Sequence, residues 1–159
     1  MGGVARVPVA IALGSSLGDR DAHLDEAEDR LASLLNGAVT SARYETASVG
    51  GPADAPEFLN EVVVGSTILS PRALLAALHA IEDAAGRERP FPDAPRTLDL
   101  DLILYGDFII DEPGLQVPHA RFRDRLFVLR PLADVAGDWV DPVSGQSVEQ
   151  LLAALPSFS

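Results

Sequence analysis

The sequence predicts an α+β fold: a ferredoxin-like βαββαβ sandwich, with helices packed on an antiparallel sheet and further elements added at the C-terminus. Three observations lead there. The apolar residues switch between a two-residue and a helical period in the order strand, helix, strand, strand, helix, strand. The last strand of that series is the clearest, with Leu98, Leu100 and Leu102 alternating with Thr97, Asp99 and Asp101. The chain has 159 residues, 47% of them hydrophobic, enough for one domain with a sizeable core, taken as 1–159.

The elements follow in order. Residues 7–13 are a continuous apolar run and read as a first strand, with a turn at 14–19. A helix is expected over 20–35, closed near Asn36 and Gly37. A second strand is expected over 39–46 and a loop over 50–56, rich in glycine and proline. A long third strand covers 58–69, with Val62, Val63, Val64 and Ile68. Ser70 and Pro71 are an N-cap and a first-turn proline, opening a helix to about residue 85 with Leu74, Leu75, Leu78 and Ile81 as its stripe. A second loop, 86–96, precedes the Asp-Leu-Asp strand, which runs to Tyr105. Gly106 and Asp107 signal a tight hairpin with a short return strand at 108–110. A loop opens at Val117-Pro118-His119. A helix is expected over 125–135, interrupted at Pro131, and a last short helix over 147–154.

Composition excludes several chemistries. There is no cysteine, hence no disulfide, thiolate metal site or cysteine nucleophile. All twelve basic residues are arginine, so neither a phosphate-loop lysine nor a lysine Schiff base is available. A net charge of −12 argues against a nucleic-acid partner. No apolar run approaches the roughly 20 residues of a membrane span, and no secretory signal is evident. A cytoplasmic protein without membrane contact is expected. Yet six arginines fall between positions 87 and 125. A local basic cluster on an acidic chain suits a small anionic ligand.

The carboxylates of Asp99 and Asp101 lie on one strand face, roughly 6.5–7 Å apart along the strand. They repel unless a cation lies between them. With oxygen ligands only, that cation is Mg²⁺, held by one or two carboxylates and completed by phosphate oxygens. Arg96 enters from just before the strand, and a metal pair beside a planar cation suits a polyphosphate. A sheet with one wet face would also display two aspartates. His79 and Glu82 share a helix face beside this strand; a surface pair would look the same. His119 follows a stiff Val-Pro approach, and a structural histidine is the plainer reading. Asn60 disfavours strands and needs partners if buried. Between Phe58 and Phe127 it could read the edge of a flat heterocycle, although both rings could equally be core.

Taken together these pieces resemble one family. Arg96-Thr97-Leu98-Asp99-Leu100-Asp101 is similar to the signature of 6-hydroxymethyl-7,8-dihydropterin pyrophosphokinase. The likeness extends through 11–15, Tyr44-Glu45-Thr46, Phe58-Leu59-Asn60, Ile81-Glu82, Gly86-Arg87 with Arg89, Val117-Pro118-His119, and Arg125 with Phe127. It implies a monomeric ferredoxin-like enzyme of folate biosynthesis that moves pyrophosphate from ATP to the pterin hydroxymethyl group and releases AMP. It implies that Asp99 and Asp101 hold two Mg²⁺ ions on the ATP phosphates. Arg87, Arg89 and Arg96 would neutralise phosphate charge, with Arg96 and Arg125 closest to the transferred group. His79, Glu82 and His119 would line the nucleotide side, with Leu102 beside the adenine. Phe58 and Phe127 would sandwich the pterin, and Asn60, Thr46 and the backbone near Ala47 and Val49 would bond its edge. Other enzymes on the same fold, and a non-catalytic nucleotide-binding module, are the rival readings.

The chain departs from the family pattern at Ser16, at Ala47-Ser48, in the loop before Arg96, which lacks Trp-Gly, and at Gly114 and Gln116. Loops 47–56 and 86–96 carry no apolar periodicity and are expected to close over bound substrates.

Overall fold

The computed structural model describes residues 5–16, 19–46, 58–85 and 98–155. Loops 47–56 and 86–96, with the closure expected of them, lie outside those residues. So do Ala47, Val49, Arg87, Arg89 and Arg96.

The strand β1 (Val7–Ser15) lies between β4 (Phe58–Thr67) and β5 (Asp99–Tyr105), antiparallel to both. The sheet order is β2–β4–β1–β5, where β2 is Asn36–Thr40. This is the strand order of a split βαβ sandwich, as expected. A central strand is covered on both faces, which explains why residues 7–13 are apolar without alternation.

The helices α1 (Arg20–Ala32) and α2 (Pro71–Ala85) cover one face. Leu24, Ala27, Leu31, Leu74, Leu78 and Ile81 pack there against Val9, Ile11, Leu13, Val63, Leu100 and Leu102. The helices α3 (Leu126–Ala136) and α4 (Val148–Ala154) cover the other. Val128, Leu129, Leu132, Val148 and Leu151 meet Ala10, Val62, Val64, Ile103 and Leu104. The added C-terminal elements therefore supply a third layer. Each fully buried leucine here contributes about 1.5–3 kcal/mol.

Several elements differ from the sequence expectation. The first helix ends at Ala32, and Asn36-Gly37 opens β2 instead of closing the helix. The strand expected over 39–46 is broken into β2 and β3 (Tyr44–Thr46), both paired to β4. Thr40 faces Val63, whereas Tyr44 faces Asn60, so one extra residue is inserted between them. Ser41 bridges the break: its N–H donates to the Val62 carbonyl at 2.9 Å, and its hydroxyl accepts from the Val62 N–H at 2.9 Å. A one-residue slip flips every side chain. Without it, Arg43 would stand opposite Asn60; with it, Tyr44 and Thr46 share the Asn60 face.

A second slip lies in β5, where Leu102 faces Ile11 but Leu104 faces Ala10. Leu100 and Leu102 therefore join the α1–α2 core, while Ile103 and Leu104 both join the α3–α4 core. The turn at Gly106 is present, with φ of +56° and the Phe108 N–H donating to the Tyr105 carbonyl at 3.1 Å. The return strand at 108–110 is not. Instead β6 (Ile110–Glu112) pairs with β7 (Leu115–Val117) around Pro113-Gly114. The outer edge of β5 is taken by other groups: Glu82 accepts from the Leu100 N–H, and the His119 N–H donates to the Ile103 carbonyl at 3.0 Å. Pro131 does not interrupt α3, which runs through it with the ring buried. Tertiary packing outweighs the missing N–H. The last helix opens with Ser147 and Gln150 in a reciprocal capping box. No helix among the described residues is long and apolar enough to cross a membrane.

Candidate active site

Antiparallel partners point to the same sheet face. Tyr44, Asn60, Gly14 and Asp99 form one such row across β3, β4, β1 and β5. Val62, Ala12 and Asp101 form the next. Ala10, Val62 and Ile103 place this face under α3 and α4. At the Gly14 end the central strand has no side chain. A Cβ there would come within 3.2 Å of the Asn60 Oδ1 and 3.9 Å of the Phe58 ring. The row is therefore a floor with a carboxamide on one side and a carboxylate on the other.

On the β4 side, Asn60 is buried, and its Nδ2 donates to the Thr46 Oγ1 at 2.8 Å. Phe58 lies on the same face, half-buried, opposite Thr46. Phe127 is in the first turn of α3 and 36% exposed, so it is not a core ring. The Arg125 guanidinium sits over it, 5.5 Å from the ring centroid. The expected pterin residues Phe58, Asn60 and Thr46 are thus brought together, and Phe127 stands on the helix that covers their face.

On the β5 side, Asp99 is half-buried and Asp101 exposed, both on the Gly14–Ala12 face. Beside them a cleft of about 420 Å³ is lined by His79, Glu82, Asp101, Leu102 and His119, together with residues of the β6–β7 hairpin such as Gln116. His79, Glu82, Leu102 and His119 were expected on one side of the site, and they share this cleft. Glu82 also has a structural part. Its Oε2 accepts from the Leu100 N–H at 2.7 Å, fastening the end of α2 to the strand between the two aspartates.

Burial pushes the His119 imidazole below its ordinary proton affinity; Asp101 pulls the other way, and Arg125 and Arg121 push it down further. The ring therefore sits in the field of Asp101 and both arginines. Arg123, another member of the basic cluster, is withdrawn from the site. It forks onto the buried Asp141, with Nη2 at 3.0 Å from Oδ1, and stiffens the short 3-10 turn Phe122–Asp124 between His119 and Arg125.

Asp99 and Asp101 offer hard oxygen donors, and no group of three or more His, Cys, Asp or Glu arranged to hold a metal ion occurs among the described residues. Such a donor set fits Mg²⁺ that takes its remaining ligands from phosphate and water, and fits poorly with an all-protein cage. Of the hairpin residues that line the cleft, the sequence marked Gly114 and Gln116 only as departures from the family pattern and missed Asp111, Glu112 and Leu115, because the hairpin itself was misplaced. It also missed Gly14 as a floor; the signal was an apolar strand ending in a residue without a side chain, opposite Asn60.

Residues 10–137 match the family model described as 7,8-dihydro-6-hydroxymethylpterin-pyrophosphokinase. The chain is 43% identical over 150 residues to the 2-amino-4-hydroxy-6-hydroxymethyldihydropteridine pyrophosphokinase of Pseudomonas aeruginosa, covering 93% of this chain and 91% of that protein. It is 43% identical over 127 residues to the protein of the same name from Bacillus subtilis, covering 79% and 75%. Among solved structures it is similar to wild-type HPPK-DHPS of Plasmodium falciparum, with a TM-score of 0.74 at 14% identity. That match covers 94% of this chain and 44% of the longer one, and it speaks to the fold alone.

Proposed function

The chain belongs to the 7,8-dihydro-6-hydroxymethylpterin-pyrophosphokinase family, and from that premise we infer that it transfers pyrophosphate from ATP to the hydroxymethyl group of 6-hydroxymethyl-7,8-dihydropterin, releasing AMP, in folate biosynthesis. The observation that carries the reading is the family match over residues 10–137. The row Asn60–Gly14–Asp99 supports it, because it sets a heterocycle reader and a metal-type carboxylate at either side of one small-residue floor.

The pterin lies on the Asn60 side, its edge bonded by Asn60, Thr46 and the backbone of Ala47 and Val49, its faces against Phe58 and Phe127. ATP lies on the β5 side, its base near Leu102 and its sugar and phosphates toward His79, Glu82, His119 and Arg125. Asp99 and Asp101 would hold two Mg²⁺ ions, which supply charge neutralisation of the phosphates when bound. The hydroxymethyl oxygen attacks the β-phosphorus in line. The O–Pβ bond forms, the bond from Pβ to the α–β bridging oxygen breaks, AMP leaves with that oxygen, and the hydroxyl proton passes to solvent. No protein nucleophile takes part. The chain contributes position and positive charge, from Arg125 and from Arg87, Arg89 and Arg96.

The substrates are small molecules. A net charge of −12 supports the absence of a nucleic-acid partner, and a cytoplasmic monomer is the proposed working state. Mixing ATP, Mg²⁺ and the reduced pterin tests the reading. AMP and pterin diphosphate should appear in equal amounts; ADP as the nucleotide product would contradict it.

A further inference from the structure

On the opposite face of the sheet from the site, β4 carries a charge where its neighbours are apolar. Glu61 pairs across β1 with Leu13, a core residue, and is 1% exposed. It sits one residue after Asn60. Arg43 sits one residue before Tyr44, the partner of Asn60. The slip at Ser41 therefore aims Arg43 at the α1 face as it aims Tyr44 and Thr46 at the site.

Arg43 collects acids from α1. Its Nη1 is 2.6 Å from the Asp21 Oδ1, and its Nη2 is 2.6 Å from the Asp25 Oδ1 and 2.7 Å from the Glu28 Oε2. Its Nε lies 3.4 Å from the Glu61 Oε2. Burial alone would lower the guanidinium's proton affinity, but the bonds to Glu28, Asp25 and Asp21 raise it well above the ordinary value. Four carboxyls thus surround one cation. If all were ionised, the cluster would carry a surplus of negative charge around a buried group.

The other oxygen of Glu61, Oε1, is buried with no hydrogen-bond acceptor role fulfilled among the described residues. Its neighbour is Glu28. Two ionised carboxylates cannot hydrogen-bond to each other, whereas a protonated one donates to its partner. Burial first, then the Glu28 bond and charge, push Glu61 up to about 8, against a smaller pull from Arg43. On the site face, the Tyr44 hydroxyl donates to the Asp134 carboxylate of α3 at 2.6 Å. The three-residue strand β3 is thereby fastened to a helix on each side of the sheet by polar contacts.

We propose that Arg43, Glu28 and Glu61 form a positioning cluster that holds β3 on β4 and so sets Thr46 against Asn60 for the pterin, with Glu61 buried in it as a neutral acid. This rests on the functional reading above, since it assigns the cluster to the pterin side of that site. Arg43, Glu28 and Glu61 touch no substrate; they act through the strands that do.

The sign of the pH dependence follows. Glu61 has an ordinary value of 4.5 and a folded value of about 8. Its contribution to stability is full below 4.5 and is lost as pH rises through 8. Above that, Glu61 and Glu28 repel and loosen β3. Glu28 from α1 and Arg43 from the segment before β3 are the charged groups that face it, Asp21 and Asp25 meet the same Arg43 guanidinium, and β1 presents the apolar Leu13.

The test compares wild type, Glu61→Gln and Arg43→Met by steady-state kinetics from pH 6.5 to 9.5, with melting curves alongside. Arg43→Met should raise the pterin KM about tenfold and leave the ATP KM within about twofold, as lost positioning on one side of a site does. In wild type the pterin KM should climb above pH 8 relative to Glu61→Gln, which keeps a donor and cannot ionise; the variant also controls for ionisation of the pterin itself. Glu61→Gln should melt higher than wild type by a few degrees above pH 8, and the gap should close toward pH 4.5. Parallel pterin KM profiles for wild type and Glu61→Gln would overturn the proposal, as would a normal pterin KM in folded Arg43→Met. A wild-type protein that forms no AMP would overturn the functional reading itself, and the pterin role of the cluster with it.

Discussion

The two sides of the site are built differently. On the β4 side, Asn60 bonds Thr46, Tyr44 bonds Asp134, and Arg43 gathers Asp21, Asp25, Glu28 and Glu61. On the β5 side, Asp101 stands exposed, and Arg125 at the start of α3 acts on His119 across the cleft from it. The first side resembles a mould whose polar groups already hold one another. The second presents opposite charges that gain most when a charged ligand arrives. A neutral flat heterocycle needs shape and aligned hydrogen bonds, so the prepared β4 side suits the proposed pterin. A polyphosphate brings its own charge and cations and needs charge more than internal contacts, so the β5 side suits the proposed ATP.

Substitutions on the β5 side should therefore cost turnover, and those on the β4 side should cost pterin affinity. The largest effect is expected for Asp101→Ala. AMP release should fall by about 10³-fold or more, the scale for losing a main electrostatic stabiliser. Its melting temperature without Mg²⁺ should stay level or rise, because two repelling carboxylates become one. Near-normal turnover would remove the metal role from this strand.

Next is Arg125→Gln, expected to lower kcat about 10²-fold with little change in pterin affinity. A loss confined to pterin binding would move Arg125 to the other side of the comparison.

Phe127→Ala should weaken pterin binding by about 1–3 kcal/mol and leave nucleotide binding nearly unchanged. At 36% exposure the ring leaves little cavity behind, so a melting curve should shift only slightly. Equal losses for both ligands, measured by titration calorimetry, would contradict the division.

The smallest effect is expected for Gly14→Ala. The added Cβ meets the Asn60 Oδ1 at 3.2 Å, so the carboxamide must give by a few tenths of an ångström. Pterin KM should rise a few-fold, about 1 kcal/mol or less, with kcat for bound substrates largely kept.

Much of the fold was legible where one rule governed a segment. The leucines of 98–102 fixed the face of both aspartates, and Ser70-Pro71 marked the start of α2. Legibility failed where local pattern and long-range pairing disagreed. The strand expected over 39–46 is broken because Ser41 inserts its hydroxyl into the ladder, and alternation cannot reveal a one-residue slip. The return strand at 108–110 failed because the edge of β5 is claimed by Glu82 and His119, residues distant in sequence. In the site, Asn60 announced itself as a misfit in a strand. Glu61 was the same kind of misfit, one residue on, but only the fold shows which face it takes and that Arg43 meets it. Arg123 counted toward the basic cluster, and only the structure pairs it with Asp141.

The assignment of Asp99 and Asp101 to Mg²⁺ is the central claim of the β5 side. It is tested most directly by titrating a non-hydrolysable ATP analogue into wild type and Asp101→Ala, with and without Mg²⁺. Mg²⁺ should raise nucleotide affinity at least about tenfold in wild type and hardly at all in the variant. The same Mg²⁺ enhancement in both proteins would contradict it.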